Sequence, residues 1–151
     1  MTISKTIKPV IVLGAGPVGM GAALELGRCN IPVIIIERNR TTSIHPKTRN
    51  YNTRTMEIAR GWGTQVYEDL RQLDLPPQWK STIRFLSRIT GFETGFIESK
   101  GFMGAGPLLS PVNSVLSSQD KIEPVMLKEI KRNAASKVLL GHEMVEFVSG
   151  D

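Results

Sequence analysis

Two short apolar runs stand out near the start of the chain, Val10-Ile11-Val12-Leu13 and Val33-Ile34-Ile35-Ile36. Continuous runs of this length, bounded by turn residues, suit strands. The first predicts a strand over 7–13, and the second, introduced by Pro32, a strand ending at Glu37. Between them, residues 17–29 read as a helix with Ala22, Ala23 and Leu26 on its inner face. Strand, helix and strand in that order make a βαβ unit.

The rest of the chain is less regular. Residues 39–50 read as a polar loop. A short helix over 53–60 is closed by Gly61 and Gly63, and a second over 64–73 carries Val66, Leu70 and Leu73 at helical spacing before Pro76-Pro77. Residues 82–89 and 92–97 alternate around Thr90-Gly91 and predict a hairpin. A Gly/Pro-rich loop over 99–111 follows. Ser117 and Asp120 have capping-box spacing ahead of a helix to about Asn133, with Pro124 in its first turn or two. Residues 138–140 and 144–148 then read as two further strands.

This is an α/β pattern, but not a self-contained doubly wound one, because too few strands follow the opening unit. A small sheet with unpaired edges is a poor stable product, so the order predicts the front portion of a longer chain.

The junction between the first strand and helix reads Gly14-Ala15-Gly16-Pro17-Val18-Gly19, and the acid Glu37 closes the second strand. Glycine spacing alone is a weak signal; in this strand–helix–strand setting, with the acid at the right distance, it is a dinucleotide-binding fingerprint. Gly14 permits the tight turn, Gly16 lets a pyrophosphate approach the backbone, and Gly19 lets helix and sheet pack closely. The phosphates are expected at the helix N-terminus, where free N–H groups favour negative charge. Glu37 is expected to accept from ribose hydroxyls. Its charge disfavours a 2′-phosphate, which points to FAD or NAD rather than NADP as the bound nucleotide.

Composition narrows the picture further. A chain of 151 residues with 40% hydrophobic content suits one domain with a core. Nineteen Lys and Arg against fourteen Asp and Glu give a net charge of +5. The cations form no long run and have no interleaved aromatics, so nucleic acid is not the expected partner. Their densest stretch is Arg38, Arg40, Lys47, Arg49, Arg54 and Arg60, read as phosphate-facing or solvated.

The single cysteine, Cys29, excludes an intrachain disulfide and fits a reducing, cytoplasmic setting. It is expected to be a small buried hydrophobe. His45 and His142 lack metal-ligand spacing, so no metal site is expected. Trp62 and Trp79 read as packing residues. No apolar segment approaches membrane-spanning length, and no membrane partner is expected.

Four segments together carry a resemblance: Gly14 to Glu37, Asn52-Thr53-Arg54-Thr55-Met56-Glu57-Ile58, Trp62-Gly63, and Ser117-Ser118-Gln119-Asp120-Lys121-Ile122-Glu123-Pro124. They resemble the N-terminal part of the FAD-dependent aromatic hydroxylases, single-component flavin monooxygenases of the para-hydroxybenzoate hydroxylase type. Among these the phenol and polyketide hydroxylases look most similar. The resemblance spans nearly the whole chain. It implies a Rossmann-like FAD-binding βαβ domain, incomplete here, over 1–78 and 113–151. Residues 79–112 would begin a substrate-side β region. It also implies that NADPH reduces the flavin and that O2 supplies the oxygen passed to an electron-rich ring. The flavin carries that chemistry, so no catalytic side chain is expected.

Carried over by position, Gly14, Ala15, Gly16, Pro17, Val18 and Gly19 would hold the FAD pyrophosphate, and Glu37 the ribose. Arg38 would lie beside the adenine end. Lys47 or Arg49 would reach the pyrophosphate or guard the flavin's path, and Gln119 would touch the ribityl or phosphate region. Arg54 is either part of this machinery or a helix-surface charge. Phe85, Phe92, Phe96 and Phe102 either line a substrate pocket or pack in a core. Two sequence features expected further along such a chain, an Asp-Gly and a Gly-Asp segment serving the cofactors, are not present. Two other readings therefore stay open: a non-catalytic nucleotide-binding remnant, and a fragment of an NAD-dependent dehydrogenase.

Overall fold

A computed structural model describes residues 7–80, 82–98 and 110–149 of the protein. The fold is mixed α/β and divides into two compact units, residues 1–46 with 119–151, and residues 47–118.

The first unit is built on β1 (Val10–Leu13), α1 (Pro17–Arg28) and β2 (Val33–Glu37), as the apolar runs predict. Its remaining elements are α4 (Gln119–Arg132) and β7 (Ser136–Leu140). The strands form one parallel sheet in the order β1-β2-β7. Val12, Ile35 and Val138 align across it, as do Leu13, Ile36 and Leu139. α1 and α4 pack against each other, and Met20, Ala23, Ile35, Ile122, Met126 and Ile130 are buried in this unit.

Helix α1 buries Met20, Ala23, Leu24 and Gly27, a stripe at i, i+3, i+4 and i+7. The expected inner face was set slightly out of phase: Ala22 is exposed and Leu26 only half-buried. Near the C-terminal ends of the two helices, Gly27 leaves room for the Asn133 amide, which a Cβ would meet at 2.6 Å.

In the second unit, β3 (Asn50–Tyr51) pairs antiparallel with β6 (Val115–Leu116), a pairing too short to be seen in the sequence. Helices α2 (Thr53–Arg60) and α3 (Thr64–Arg71) follow at the expected places. Asn52 caps α2, its Oδ1 accepting the Thr55 N–H at 2.9 Å. Gly63, with φ of 136°, opens α3 and so begins a helix rather than closing one.

The predicted hairpin is β4 (Thr82–Leu86) against β5 (Glu93–Glu98), both strands shorter or shifted relative to expectation. An ion pair between a buried lysine and a half-buried aspartate braces this unit. Lys80, only 3% exposed, donates to Asp74 Oδ2 and to the Ser114 carbonyl, while Asp74 Oδ1 accepts the Leu116 N–H.

Several expectations are corrected. No strand forms over 144–148: after Gly141, at φ 71°, His142 N–H still reaches the Glu37 carbonyl, and beyond that the segment has no strand partner among the described residues. Alternating residues alone do not make a strand without a ladder. Cys29 is exposed, because it caps the C-terminus of α1 rather than filling its inner stripe. Trp79 is 70% exposed and does not pack in a core. Phe85, Phe92 and Phe96 are likewise exposed on or beside the hairpin, so core packing does not describe them. Phe102 and most of the loop over 99–111 lie outside the described residues.

Candidate functional site

The glycine-rich turn sits where β1 ends, at the carboxyl edge of the parallel sheet. Gly14 takes φ of 99°, a conformation open to glycine, and its N–H donates to the Ile36 carbonyl at 2.8 Å. Gly19 is required for a different reason. A Cβ there would come within 2.0 Å of the Gly14 carbonyl oxygen, so the first turn of α1 can approach the β1 turn only without a side chain.

Gly16 has neither constraint. It is the N-cap of α1 in extended conformation, and a Cβ on it would meet no protein atom within 4 Å. The helix begins with Pro17 and has no side-chain cap. An uncapped helix start facing open space at Gly16 fits an incoming phosphate group, which N–H donors and the helix dipole favour.

Glu37 ends β2 beside this turn. Its Oε2 accepts the Ala15 N–H at 2.9 Å, and its Oε1 accepts the Asn39 N–H at 2.8 Å and the Asn39 amide at 2.6 Å. Partial burial pushes the carboxyl pKa up. The bonds from Asn39 and Ala15 and the adjacent Arg38 charge outweigh it, holding the group below the ordinary carboxylate range. Glu37 is therefore an anion at neutral pH, suited to neutral hydroxyl donors and hostile to a phosphate. Behind it, Gly141 and His142 donate backbone N–H groups to the Asn39 and Glu37 carbonyls.

The topology also accounts for Gln119. Each helix of the first unit is joined to the sheet by a short connection and runs back along it, α1 after β1 and α4 before β7. Their N-terminal ends thus share the carboxyl edge that carries Gly14 and Glu37, where open parallel sheets bind ligands. Gln119 is the first residue of α4. It is buried, and its Nε2 donates to Glu123 Oε1 at 2.6 Å.

Of the sequence-predicted residues, Gly14, Ala15, Gly16, Pro17, Val18, Gly19, Glu37, Arg38 and Gln119 fall in the first unit. Arg38 is exposed beside Glu37. Lys47 and Arg49 belong to the second unit, with exposed side chains; the Arg49 carbonyl accepts the Ser117 N–H at 2.9 Å. Arg54 pairs with Glu57 on the surface of α2. Two participants were not legible beforehand, Asn39 and Glu123. Asn39 follows the acid by two residues, the spacing of a local side-chain bridge. Glu123, in a charged helix, looks like a surface residue and is in fact 2% exposed.

The chain matches the FAD binding domain family over residues 8–151, and it belongs to that family, whose cofactor is FAD. It is 32% identical to aklavinone 12-hydroxylase DnrF of Streptomyces peucetius over 154 aligned residues, covering 100% of this chain and 31% of that protein. It is 31% identical to a putative polyketide hydroxylase of Streptomyces coelicolor, covering 92% and 22%. Among solved structures, the flavin-dependent monooxygenase PieE in complex with FAD and substrate superimposes with a TM-score of 0.78 at 27% identity, over 89% of this chain and 24% of that one. A ternary complex of aklavinone-11 hydroxylase with FAD and aklavinone gives 0.71 at 26% identity, over 88% and 25%. The chain thus spans less than a third of the length of these relatives.

Proposed function

We propose that the chain is the FAD-holding portion of a flavin-dependent monooxygenase that hydroxylates a phenolic or polyketide aromatic ring, with NADPH as reductant and O2 as co-substrate. The observation that carries this reading is the Ala15–Glu37 hydrogen bond, which closes the glycine turn on its acid at the sheet's carboxyl edge. Family membership and the hydroxylase relatives support it. The unit is Rossmann-like in this reading. Residues 1–78 and 113–151 serve the flavin side, 79–112 begin the substrate side, and the protein works in the cytoplasm.

The residues divide the work. Gly16 leaves space for the pyrophosphate, and the uncapped start of α1 attracts its charge. A carboxylate offers about four acceptor positions. Three at Glu37 are taken by Ala15 and Asn39, leaving one for an adenosine ribose hydroxyl. Arg38 lies beside the adenine end, Lys47 or Arg49 reaches the pyrophosphate or guards the flavin, and Gln119 meets the nucleotide from α4. Bound flavin supplies the electron and oxygen transfer. The protein's part is to hold, orient and shield it.

Calorimetry of the purified chain with FAD and with NAD tests the reading, followed by gel filtration. Retention of FAD without NAD binding is expected. Substrate-dependent NADPH oxidation is expected only from a protein carrying the remaining length of the relatives. NAD binding with exclusion of FAD would overturn the proposal in favour of a dehydrogenase.

A further inference from the structure

We propose that Glu123 is a positioning residue for the flavin nucleotide: it sets which way the Gln119 amide faces and fastens the segment that leaves Glu37. The inference rests on the FAD-holding role proposed above.

Glu123 lies one helical turn after Gln119 and is almost fully enclosed. A buried carboxylate is costly unless its oxygens are satisfied. Here both are used: Oε1 accepts from Gln119 Nε2 and Oε2 from the Ser43 N–H, each at 2.6 Å. Ser43 sits in the loop that follows Glu37 and Asn39, so one side chain ties that loop to the start of α4.

The polarity of the contact matters most. Both Glu123 oxygens act as acceptors here, so Gln119 turns its NH2 toward Glu123. Its carbonyl oxygen then faces away, and no hydrogen bond among the described residues engages it. With α4 starting at the carboxyl edge, Gln119 offers the nucleotide an acceptor and one residual N–H. That pair matches a hydroxyl of a sugar-alcohol chain and is a poor match for a phosphate oxygen, itself an acceptor.

Glu123→Gln separates positioning from structural support. The new amide still accepts the Ser43 N–H through its oxygen, and its NH2 meets Gln119 once the Gln119 amide reverses. The fold is kept while the group offered outward changes from acceptor to donor. FAD titration of the 151-residue chain should show about five- to tenfold weaker binding in E123Q, the worth of one hydrogen bond, with melting within a few degrees of wild type. Q119A should lose a similar factor, and E123Q in the Q119A background should lose nothing more. E123Q binding FAD as tightly as wild type, or losses that multiply in the double variant, would overturn the inference while leaving the FAD-holding role intact. Should E123Q melt early, the comparison of Q119A with the double variant, made below both transitions, still decides by the same rule. Failure of the wild-type chain to bind FAD overturns the functional reading and this inference with it.

Discussion

The Ala15 N–H and the Glu37 carboxylate, separated by 22 positions in sequence, are joined at 2.9 Å. One hydrogen bond connects the two halves of the fingerprint, the glycine turn after β1 and the acid after β2. The carboxylate therefore has a structural task before any nucleotide arrives.

This bond predicts an acid sensitivity with a definite sign. The folded-state pKa of Glu37 lies below its ordinary value, so its contribution is present above the unfolded carboxylate pKa of about 4.3 and is lost as pH falls through the lower folded value. Urea unfolding from pH 6 down toward about 3 should show wild type losing its advantage over Glu37→Gln across that acid window. A constant difference between the two proteins at every pH would contradict this assignment.

The three glycines should separate by mechanism. Gly19→Ala drives a methyl group into the Gly14 carbonyl and should cost at least about 1–3 kcal/mol of stability. Gly14→Ala meets no atom but must hold φ of 99°, costing about 1–2 kcal/mol. Gly16→Ala should cost about 1 kcal/mol or less and yet weaken FAD binding by about tenfold or more if the pyrophosphate sits as proposed, because its methyl enters the open space beside the α1 start. Thermal melts beside FAD titrations check the ranking.

In the second unit, Asp74→Ala strands the buried Lys80 ammonium and frees the Leu116 N–H. The expected loss is about 2–4 kcal/mol, below that of a fully buried pair because Asp74 is partly exposed, with Lys80→Met in the same chain recovering part of it by removing the unpaired charge. Denaturant midpoints of the single and double variants decide whether the pair behaves this way.

On one face of the sheet, Ile11 and Leu13 are 50% and 54% exposed, beside the half-buried Ile34 and Ile36 with which they align. Parallel sheets ordinarily have both faces covered. The isolated chain should bind an anilinonaphthalene dye and self-associate with concentration in sedimentation runs. Ile11→Lys should reduce both while leaving melting nearly unchanged.

What the sequence revealed and what it hid follow from the range of the interactions. The βαβ unit was legible because the runs at 10–13 and 33–36, the glycines and Glu37 all act within one short stretch. The placement of β7 beside β2 was not, since nothing local to Ser136–Leu140 names a partner so far upstream. The same holds for the two-residue ladder of β3 and β6. Glu123 was hidden for a chemical reason: in a helix with Asp120, Lys121 and Lys128, a glutamate reads as solvated until Ser43 and Gln119 are seen to enclose it. Cys29 and Trp79 erred in the opposite direction, apolar residue types left in water at the end of a helix and in a single 3-10 turn.

The order β1-β2-β7 has a consequence for biosynthesis. A ribosome delivers the glycine turn and Glu37 early, but the strand that flanks β2, and the helix that presents Gln119, emerge only after the whole second unit has been made. Non-local pairing of this kind is slow, and until it is complete β2 exposes an unpaired edge. The nascent chain thus passes through a stage at which half of the sheet edge proposed to hold the nucleotide has been made and the other half has not yet been synthesised. FAD or a chaperone present at that stage has the most to contribute.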